Sequence, residues 1–204
     1  MIAHWSWMDP AIANLVPLLD SYWLMIHVAV IVGSYGPFTI SMILGVVSLI
    51  LMILVNKKNR ELLNINVKEL VLINEMSMTI GLVMLTIGNF LGGMWANESW
   101  GRYWGWDPKE TWALISIMVY AFVIHMRLIP GLKSNFAFTV ASILSFGSII
   151  MTYFGVNFYL AGLHSYAKDD QEISLVFISI TLVIILILSL LAYPKYKKYL
   201  KNNR

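Results

Sequence analysis

Four histidines are the main metal-ligating side chains of this 204-residue chain, which has no cysteine. Neutral imidazole binds metal ions through a ring nitrogen. The missing cysteines exclude disulfides, thiolate metal sites and thiol redox chemistry carried by this chain. The sequence also lacks Gly-rich phosphate loops, paired catalytic carboxylates and nucleophile elbows. Candidate chemistry therefore centres on His27, His125 and His164, with His4 near the start of the chain.

A second concentration of unusual residues is aromatic and reads WANESWGRYWGWDPKETW from Trp95 to Trp112. It holds five of the eight tryptophans of the chain. A dense aromatic patch is what a large, flat, apolar ligand needs. Anchoring at a membrane interface is the alternative, and for Trp5, Trp7 and Trp23 it weighs as much as a ligand role.

The elements that must position these residues are membrane helices. The chain has 59% hydrophobic and 12% charged residues, the composition of a polytopic membrane protein. Crossing a bilayer takes about 20 apolar residues. We predict an all-α bundle, one membrane domain with five transmembrane helices at about residues 21–55, 68–93, 108–128, 135–160 and 173–193. Gly88 and Gly92 have the spacing that lets helices approach closely in lipid, or are merely tolerated there.

The distribution of basic residues predicts the orientation, because Lys and Arg are retained on the cytoplasmic side of a membrane. Eleven of the fourteen basic residues fall in the connections and tail on one side, and only Arg102, Lys109 and Lys168 fall on the other. The N-terminus should therefore lie outside and the C-terminus in the cytoplasm. The same assignment places all eight tryptophans on the outer side. The predicted segments between and beyond the spans are an outer interfacial segment 1–20, an outer tryptophan-rich loop 95–110, an outer loop 161–172 and a basic tail 194–204.

This orientation brings His27 and His164 to the outer membrane edge, at the depth of the tryptophan-rich stretch. Two imidazoles at one level beside an aromatic surface suit the two axial ligands of one haem. Two unrelated interfacial histidines are the alternative. Spacing alone leaves both interpretations open.

Three further residues within the predicted spans, His125, Asn74 and Glu75, are polar or ionisable and need an interpretation. His125 lies about 14 residues into span three, roughly 21 Å below the outer surface at 1.5 Å per residue. An ionisable group at such a depth indicates function, with a hydrogen-bonded structural role as the alternative. If His125 binds haem iron through two protein ligands, the second must come from another chain or from further sequence. Asn74 and Glu75 are interpreted as snorkelling interfacial groups.

The segment from Asp107 to Glu110 is typical of a helix start, with Asp as N-cap, Pro at the first helical position and Glu at the third. A helix N-terminus that points outward, with Arg102 and Lys109 near it, also offers positive potential to carboxylates such as haem propionates. The two interpretations are compatible.

The stretch from Trp95 to Trp112 resembles the tryptophan-rich WWD signature of the haem-handling proteins of cytochrome c maturation, specifically the CcsA/ResC type. The resemblance covers nearly the whole chain and extends to SYWLMIHV at 21–28, YAFVIHMR at 120–127 and GLHSY at 162–166. The related CcmC type fits less well around 107–112 and 164–166. Full-length members carry additional spans before the part that matches, so we expect this chain to correspond to the C-terminal part of the family.

This resemblance implies a set of site residues. His27 and His164 would be axial ligands of an outer haem iron, and His125 would be one ligand of a membrane-embedded haem whose second ligand belongs to a CcsB/ResB companion. The residues implied to hold the outer haem are Trp95, Trp100, Arg102, Trp104, Trp106, Asp107 and Trp112. The cargo implied is haem b.

The function implied is cytochrome c maturation as a subunit of a haem-ligating synthase. Haem would reach the outer site from the cytoplasmic side, and an apocytochrome would present its Cys-x-x-Cys-His segment there. The chain itself would mainly position the reactants. Alternatives are a haem exporter or chaperone that delivers haem without ligation, and a b-type electron-transfer subunit. The last predicts histidines paired at one depth, and His125 has no such mate here.

The predicted location is the bacterial cytoplasmic membrane, with the active face toward the periplasm; a thylakoid membrane is the alternative. The implied partners are the CcsB/ResB-like subunit or a missing N-terminal half, apocytochrome c, haem and membrane lipid. The net charge of +3 does not indicate nucleic acid, because most of the lysines lie in short loops and a tail between apolar runs.

Overall fold

The computed structural model describes residues 21–160 and 175–200. Within these residues, five helical segments are long and apolar enough to cross a membrane, which confirms the predicted all-α polytopic architecture. The α-helices are α1 (Tyr22–Leu54), α2 (Arg60–Trp100), α3 (Pro108–His125), α4 (Asn135–Ile150), α5 (Val156–Tyr159) and α6 (Leu175–Lys195). A 3-10 turn, Met126–Leu128, follows α3, and π-helical turns, Met151–Gly155 and Tyr196–Leu200, follow α4 and α6.

Helices α1 and α2 form an antiparallel hairpin along a line of small residues. Gly81, Gly88 and Gly92 of α2 face Phe38, Ile31 and His27 of α1, in that order. A β-carbon at Gly88 would come within 2.6 Å of Ile31 Cγ1 and 3.1 Å of its backbone nitrogen. Such a distance is far inside normal van der Waals contact. The glycines therefore allow a close backbone approach, as their spacing predicts.

A buried amide joins three helices in the interior. Asn74 of α2 accepts a hydrogen bond from the Ser41 hydroxyl of α1 at 2.6 Å and donates to the Ser142 hydroxyl of α4 at 3.0 Å. All three side chains are buried. The interpretation of Asn74 as a snorkelling group is therefore wrong: its side chain points into the bundle, where lipid offers no competing partner for an amide. Nearby, the rings of Phe38 and Tyr120 stack at 3.8 Å, which packs α3 against α1.

The end of the bundle that holds Asn56–Arg60 is called the lysine end. Here the last turns of α6 pack back onto the other helices. Lys195 Nζ donates to the Ile53 carbonyl of α1, and Phe136 of α4 lies against the ring of Tyr196. Tyr196 and Leu200 are buried. The predicted basic tail 194–204 is helical as far as residue 200. Tyr196 and Leu200 pack into the core, while Lys195, Lys197 and Lys198 stay exposed.

The observed boundaries agree with predicted spans one, three and four, but they differ for α2 and for the fifth span, which ends at Leu200 rather than at residue 193. Span three matches Pro108–Leu128 and span one matches within a residue at each end. Helix α2 begins eight residues earlier and ends seven residues later than predicted, at Arg60 and Trp100. The predicted loop 95–110 is therefore shorter: Trp95 and Trp100 are helical, α3 begins at Pro108, and only residues 101–107 lie outside helices.

Candidate functional site

The opposite end of the bundle, called the tryptophan end, brings together the start of α1, the end of α2, residues 101–107 and the start of α3. Every tryptophan in the described part of the chain lies there. The Ser21 hydroxyl donates to the Glu98 carboxylate at 2.9 Å, which ties the first residue before α1 to the last turn of α2. Three helix ends and one loop therefore lie together at this end of the bundle.

His27 lies inside this end rather than on it, with only 6% of its surface exposed. Its Nδ1 is 2.7 Å from the carbonyl oxygen of Trp23, one turn earlier in α1. A carbonyl can only accept, so Nδ1 carries the proton and the ring lone pair resides on Nε2. Metal-ligating histidines are held in this manner, with one nitrogen donating to a carbonyl and the other facing the metal.

The imidazole of His27 stacks on the indole of Trp95, with ring centroids 5.3 Å apart and an interplanar angle of 25°. Trp95 is buried and meets the edge of Trp100 at 4.7 Å. Trp95 and Trp100 lie on the last turns of α2, where the helix still sets the direction of both side chains. Trp95 thus lies behind the histidine, while Trp100 is half-buried nearer the surface.

Residues 101–107 fold back onto α2. Gly101 ends α2 in the left-handed conformation at φ 69°, and its N–H donates to the Asn97 carbonyl at 2.9 Å. The guanidinium of Arg102 lies over Gly105, where a β-carbon would come within 2.6 Å of Cζ. The Tyr103 carbonyl lies over Gly93 in the same manner. These contacts give the loop a defined shape although it has no regular structure.

Trp106 is the most exposed of the described tryptophans, at 72%, and has φ 57°. A bulky residue in this region of backbone space is strained, and such strain persists only where neighbouring contacts hold it. Glu110 provides those contacts, because its Oε2 accepts from Gly105 N–H at 2.8 Å and Asp107 N–H at 3.3 Å. The indole of Trp104 meets that of Trp106 edge-on at 5.7 Å.

The predicted capping box is confirmed. The Asp107 carboxylate accepts from the backbone N–H of Lys109, Glu110 reaches back to Asp107 N–H, and Pro108 takes the first helical position. Trp112, one turn further along α3, is half-buried, and its carbonyl lies 3.1 Å from the Thr152 hydroxyl. The start of α3 is thereby joined both to the loop and to the π-helical turn after α4.

His125 lies toward the other end, as the last residue of α3, and its side chain is exposed. Its Nδ1 is 2.6 Å from the Ala121 carbonyl, so its lone pair also resides on Nε2. Two residues later, Arg127 forms an ion pair with Glu75 of α2 at 2.7 Å and lies over the ring of Phe138. Glu75 is therefore paired within the bundle rather than snorkelling. The structure does not bring His125 and His27 together.

Several predicted site residues lie outside the described residues. These are His164 with the predicted loop 161–172, and Trp5 and Trp7 with the predicted interfacial segment 1–20. Within residues 21–160 and 175–200, no group of three or more His, Asp or Glu side chains could hold a metal ion. A haem iron needs only two axial ligands from the protein.

Two contributors were not found by reading the sequence. Gly92 contacts the His27 ring, and Glu110 holds the backbone on both sides of Trp106. The sequence predicts one of the two Glu110 hydrogen bonds: the capping box includes the bond to Asp107 N–H but not the bond to Gly105 N–H. The spacing of Gly88 and Gly92 indicates close helix approach, but it does not show that Gly92 borders His27, because that depends on the pairing of α1 with α2.

Residues 2–164 match the family model described as Cytochrome C assembly protein. The chain belongs to the cytochrome C assembly protein family. The match covers α1 to α5 and therefore the whole tryptophan end. It confirms the assignment to cytochrome c assembly.

Relatives of this cytochrome C assembly protein agree with the family model. The chain is 50% identical to Protein NrfI of Wolinella succinogenes over 98% of its own length and 22% of NrfI. It is 35% identical to the cytochrome c biogenesis protein CcsA of Cyanophora paradoxa, and 39% identical to that of Prochlorococcus marinus, over 76% of its length. It spans 61% and 57% of those two proteins. The chain thus spans about a fifth of one relative and about three fifths of the others.

Proposed function

We propose that this chain holds haem b at its tryptophan end, with His27 and His164 as axial ligands, and presents it for covalent attachment to apocytochromes. The observation that carries the proposal is the state of the His27 imidazole. Its Nδ1 is committed to the Trp23 carbonyl and its face to Trp95, so Nε2 is the ligating nitrogen. Membership of the cytochrome C assembly family supports haem handling in general, and haem b is the proposed cargo.

The residues around His27 are proposed to make different contacts with a flat aromatic cargo. Trp95 supports the histidine from behind. Trp100, Trp104, Trp106 and Trp112 retain exposed indole surface, which is suited to packing on a porphyrin. The exposed guanidinium of Arg102 offers positive potential to the propionates.

His125 is proposed as one ligand of a second haem on the path to the tryptophan end. Its side chain is exposed at the perimeter of the bundle, where a histidine of a companion membrane subunit of the CcsB/ResB type can reach the same iron. A buried His125 would have been unable to share a ligand with another chain. The proposed route runs from the lysine end, on the cytoplasmic side, to the tryptophan end.

In the proposed reaction the Cys-x-x-Cys-His segment of an apocytochrome approaches the exposed indoles. Its histidine replaces one axial ligand, and each of its two thiols adds across a haem vinyl group. Each addition forms one carbon–sulfur bond, and the thiol proton goes to the other vinyl carbon. This chain positions the reactants, which makes a bimolecular addition effectively intramolecular. No thiol of this chain is needed, in agreement with its lack of cysteine.

The test is co-expression of this chain with a companion subunit and a reporter apocytochrome, in a host that lacks other maturation proteins. We expect covalent holocytochrome, and its loss in His27→Ala and His164→Ala. The matched control is His4→Ala, which removes a histidine with no proposed role. A haem-loaded complex without product would overturn ligation and favour a haem exporter. An unchanged haem absorption spectrum in the double variant of His27 and His164 would remove both from the ligand set.

A further inference from the structure

We infer that Gly92 is a positioning residue for His27, because its missing side chain gives the imidazole its place between α1 and α2. The inference rests on the proposed role of His27 as an axial ligand and adds a residue to that site. Gly92 lies outside the tryptophan-rich stretch, and the three atoms nearest to a β-carbon at position 92 all belong to His27.

Gly92 lies close to the Cδ2–Nε2 edge of the imidazole, which holds the proposed ligating nitrogen. A β-carbon at position 92 would lie 3.3 Å from Cδ2, 3.8 Å from Cγ and 3.9 Å from Nε2 of His27. Carbon atoms in favourable contact are about 3.5–4.0 Å apart. An alanine would therefore press on the ring by a few tenths of an ångström, and a branched side chain would also cover the Nε2 edge.

The ring has little freedom to yield. Nδ1 is bonded to the Trp23 carbonyl at 2.7 Å, and one face lies on Trp95. The helices themselves are held close by the next contact along the hairpin, where Gly88 meets the side chain and backbone of Ile31. A side chain at position 92 must therefore displace the imidazole from the Trp23 carbonyl or from Trp95, or separate the helices.

Displacement of the imidazole is important because an axial ligand binds iron well only when its nitrogen is correctly placed. A functional constellation has to be held within roughly 0.5 Å of its productive geometry. Loss of the Nδ1 bond would also release the tautomer and orientation of the ring, which second-sphere partners normally secure. The expected consequence is weaker His27 ligation in a protein that is still folded.

The experiment compares glycines in different surroundings. Gly92→Ala and Gly92→Val are the test variants. Gly147→Ala and Gly147→Val are the matched controls, since Gly147 lies within α4 and a β-carbon there would meet nothing within 4 Å. Gly88→Ala tests helix packing without contact to His27. Each variant is purified as the full chain with its companion, and its low-spin haem spectrum, thermal unfolding and isotope-labelled histidine NMR spectrum are recorded.

We expect Gly92→Ala to lower the His27-dependent low-spin signal and Gly92→Val to reduce it to the level of His27→Ala. Added imidazole should restore the low-spin spectrum in both, since it replaces a missing axial ligand. The ring-nitrogen resonances of His27 should shift in the Gly92 variants and stay unchanged in the Gly147 variants. This last measurement needs no haem.

A wild-type spectrum and unshifted His27 resonances in Gly92→Val would overturn the inference. So would an equal spectral loss in Gly88→Ala and Gly92→Ala at equal thermal destabilisation, because the effect would then be helix packing alone. If the His27→Ala spectrum equals that of the unmodified chain, the ligand role of His27 fails first, and the NMR shift shows separately whether Gly92 positions the ring.

Discussion

His27 and His125 have the same local chemistry in opposite surroundings. Both donate from Nδ1 to the carbonyl one turn earlier, at 2.7 Å and 2.6 Å. His27 is 6% exposed, stacked on Trp95 and in contact with Gly92. His125 is exposed at the end of α3. A helix alone is therefore enough to select the tautomer protonated at Nδ1. The packing around the ring determines whether the histidine faces its own chain or a partner.

The largest expected difference between the two ends concerns the side of the membrane on which each lies. The chain has no cysteine, so single substitutions at exposed positions report topology without background. We expect Trp106→Cys in intact cells to react with a membrane-impermeant maleimide, and Lys57→Cys to react only after permeabilisation, because the basic residues should remain cytoplasmic. The cysteine-free parent is the control. The reverse labelling pattern would invert the proposed orientation.

The second difference is in stability. His27→Ala should lower the free energy of unfolding by about 2 kcal/mol, because it leaves a cavity beside Trp95 and removes a buried hydrogen bond. His125→Ala removes an exposed side chain and should change it by less than about 0.5 kcal/mol. Reversible unfolding in detergent measures both. If both variants lose the same unfolding free energy, burial of His27 contributes no more to stability than the exposed position of His125, and the structural contrast is removed.

A smaller effect is expected in the loop at the tryptophan end. Glu110→Ala removes the acceptor for Gly105 N–H and Asp107 N–H and should cost about 1 kcal/mol, as for other lost helix caps. Amide hydrogen exchange at these two positions should accelerate. Glu69→Ala, which removes an exposed carboxylate near the other end of α2, is the control. Unchanged exchange in Glu110→Ala would mean that another contact holds the strained Trp106.

The smallest effect is expected at the ion pair near His125. Glu75 and Arg127 are partly exposed, so a double-mutant cycle with Glu75→Gln and Arg127→Gln should give a coupling energy of about 0.5–1 kcal/mol. Unfolding in detergent provides the measurement. A coupling near zero would mean that the end of α3 is held by packing, for instance by Arg127 over Phe138, rather than by charge.

Hydropathy located the spans well because the bilayer imposes a length on every apolar run. It predicted the limits of span three, Pro108–Leu128, and missed those of α2, which extends to Arg60 and Trp100. Backbone hydrogen bonds can extend a helix beyond the bilayer. Hydropathy does not detect these additional turns, because their residues are polar. Trp95 and Trp100 were therefore expected in a loop.

Local motifs were equally readable. The capping box at Asp107 and Glu110 involves residues three apart, so the sequence contains both partners. Asn74 shows the opposite case: its interpretation as a snorkelling group was wrong because both of its partners, Ser41 and Ser142, are distant in the chain. A polar residue within a span has the same sequence signature whether it faces lipid headgroups or a buried hydroxyl.

The sequence by itself determined the membrane class, the five spans, the start of α3 and the family, because these depend on composition, on neighbours a few residues apart or on a long matching pattern. Only the tertiary structure decided that Trp95 lies behind His27, that Gly92 borders the imidazole and that His125 faces outward. Those relations arise from the register and rotation of helices against each other. Register and rotation depend on side-chain packing over many turns, which no short motif records.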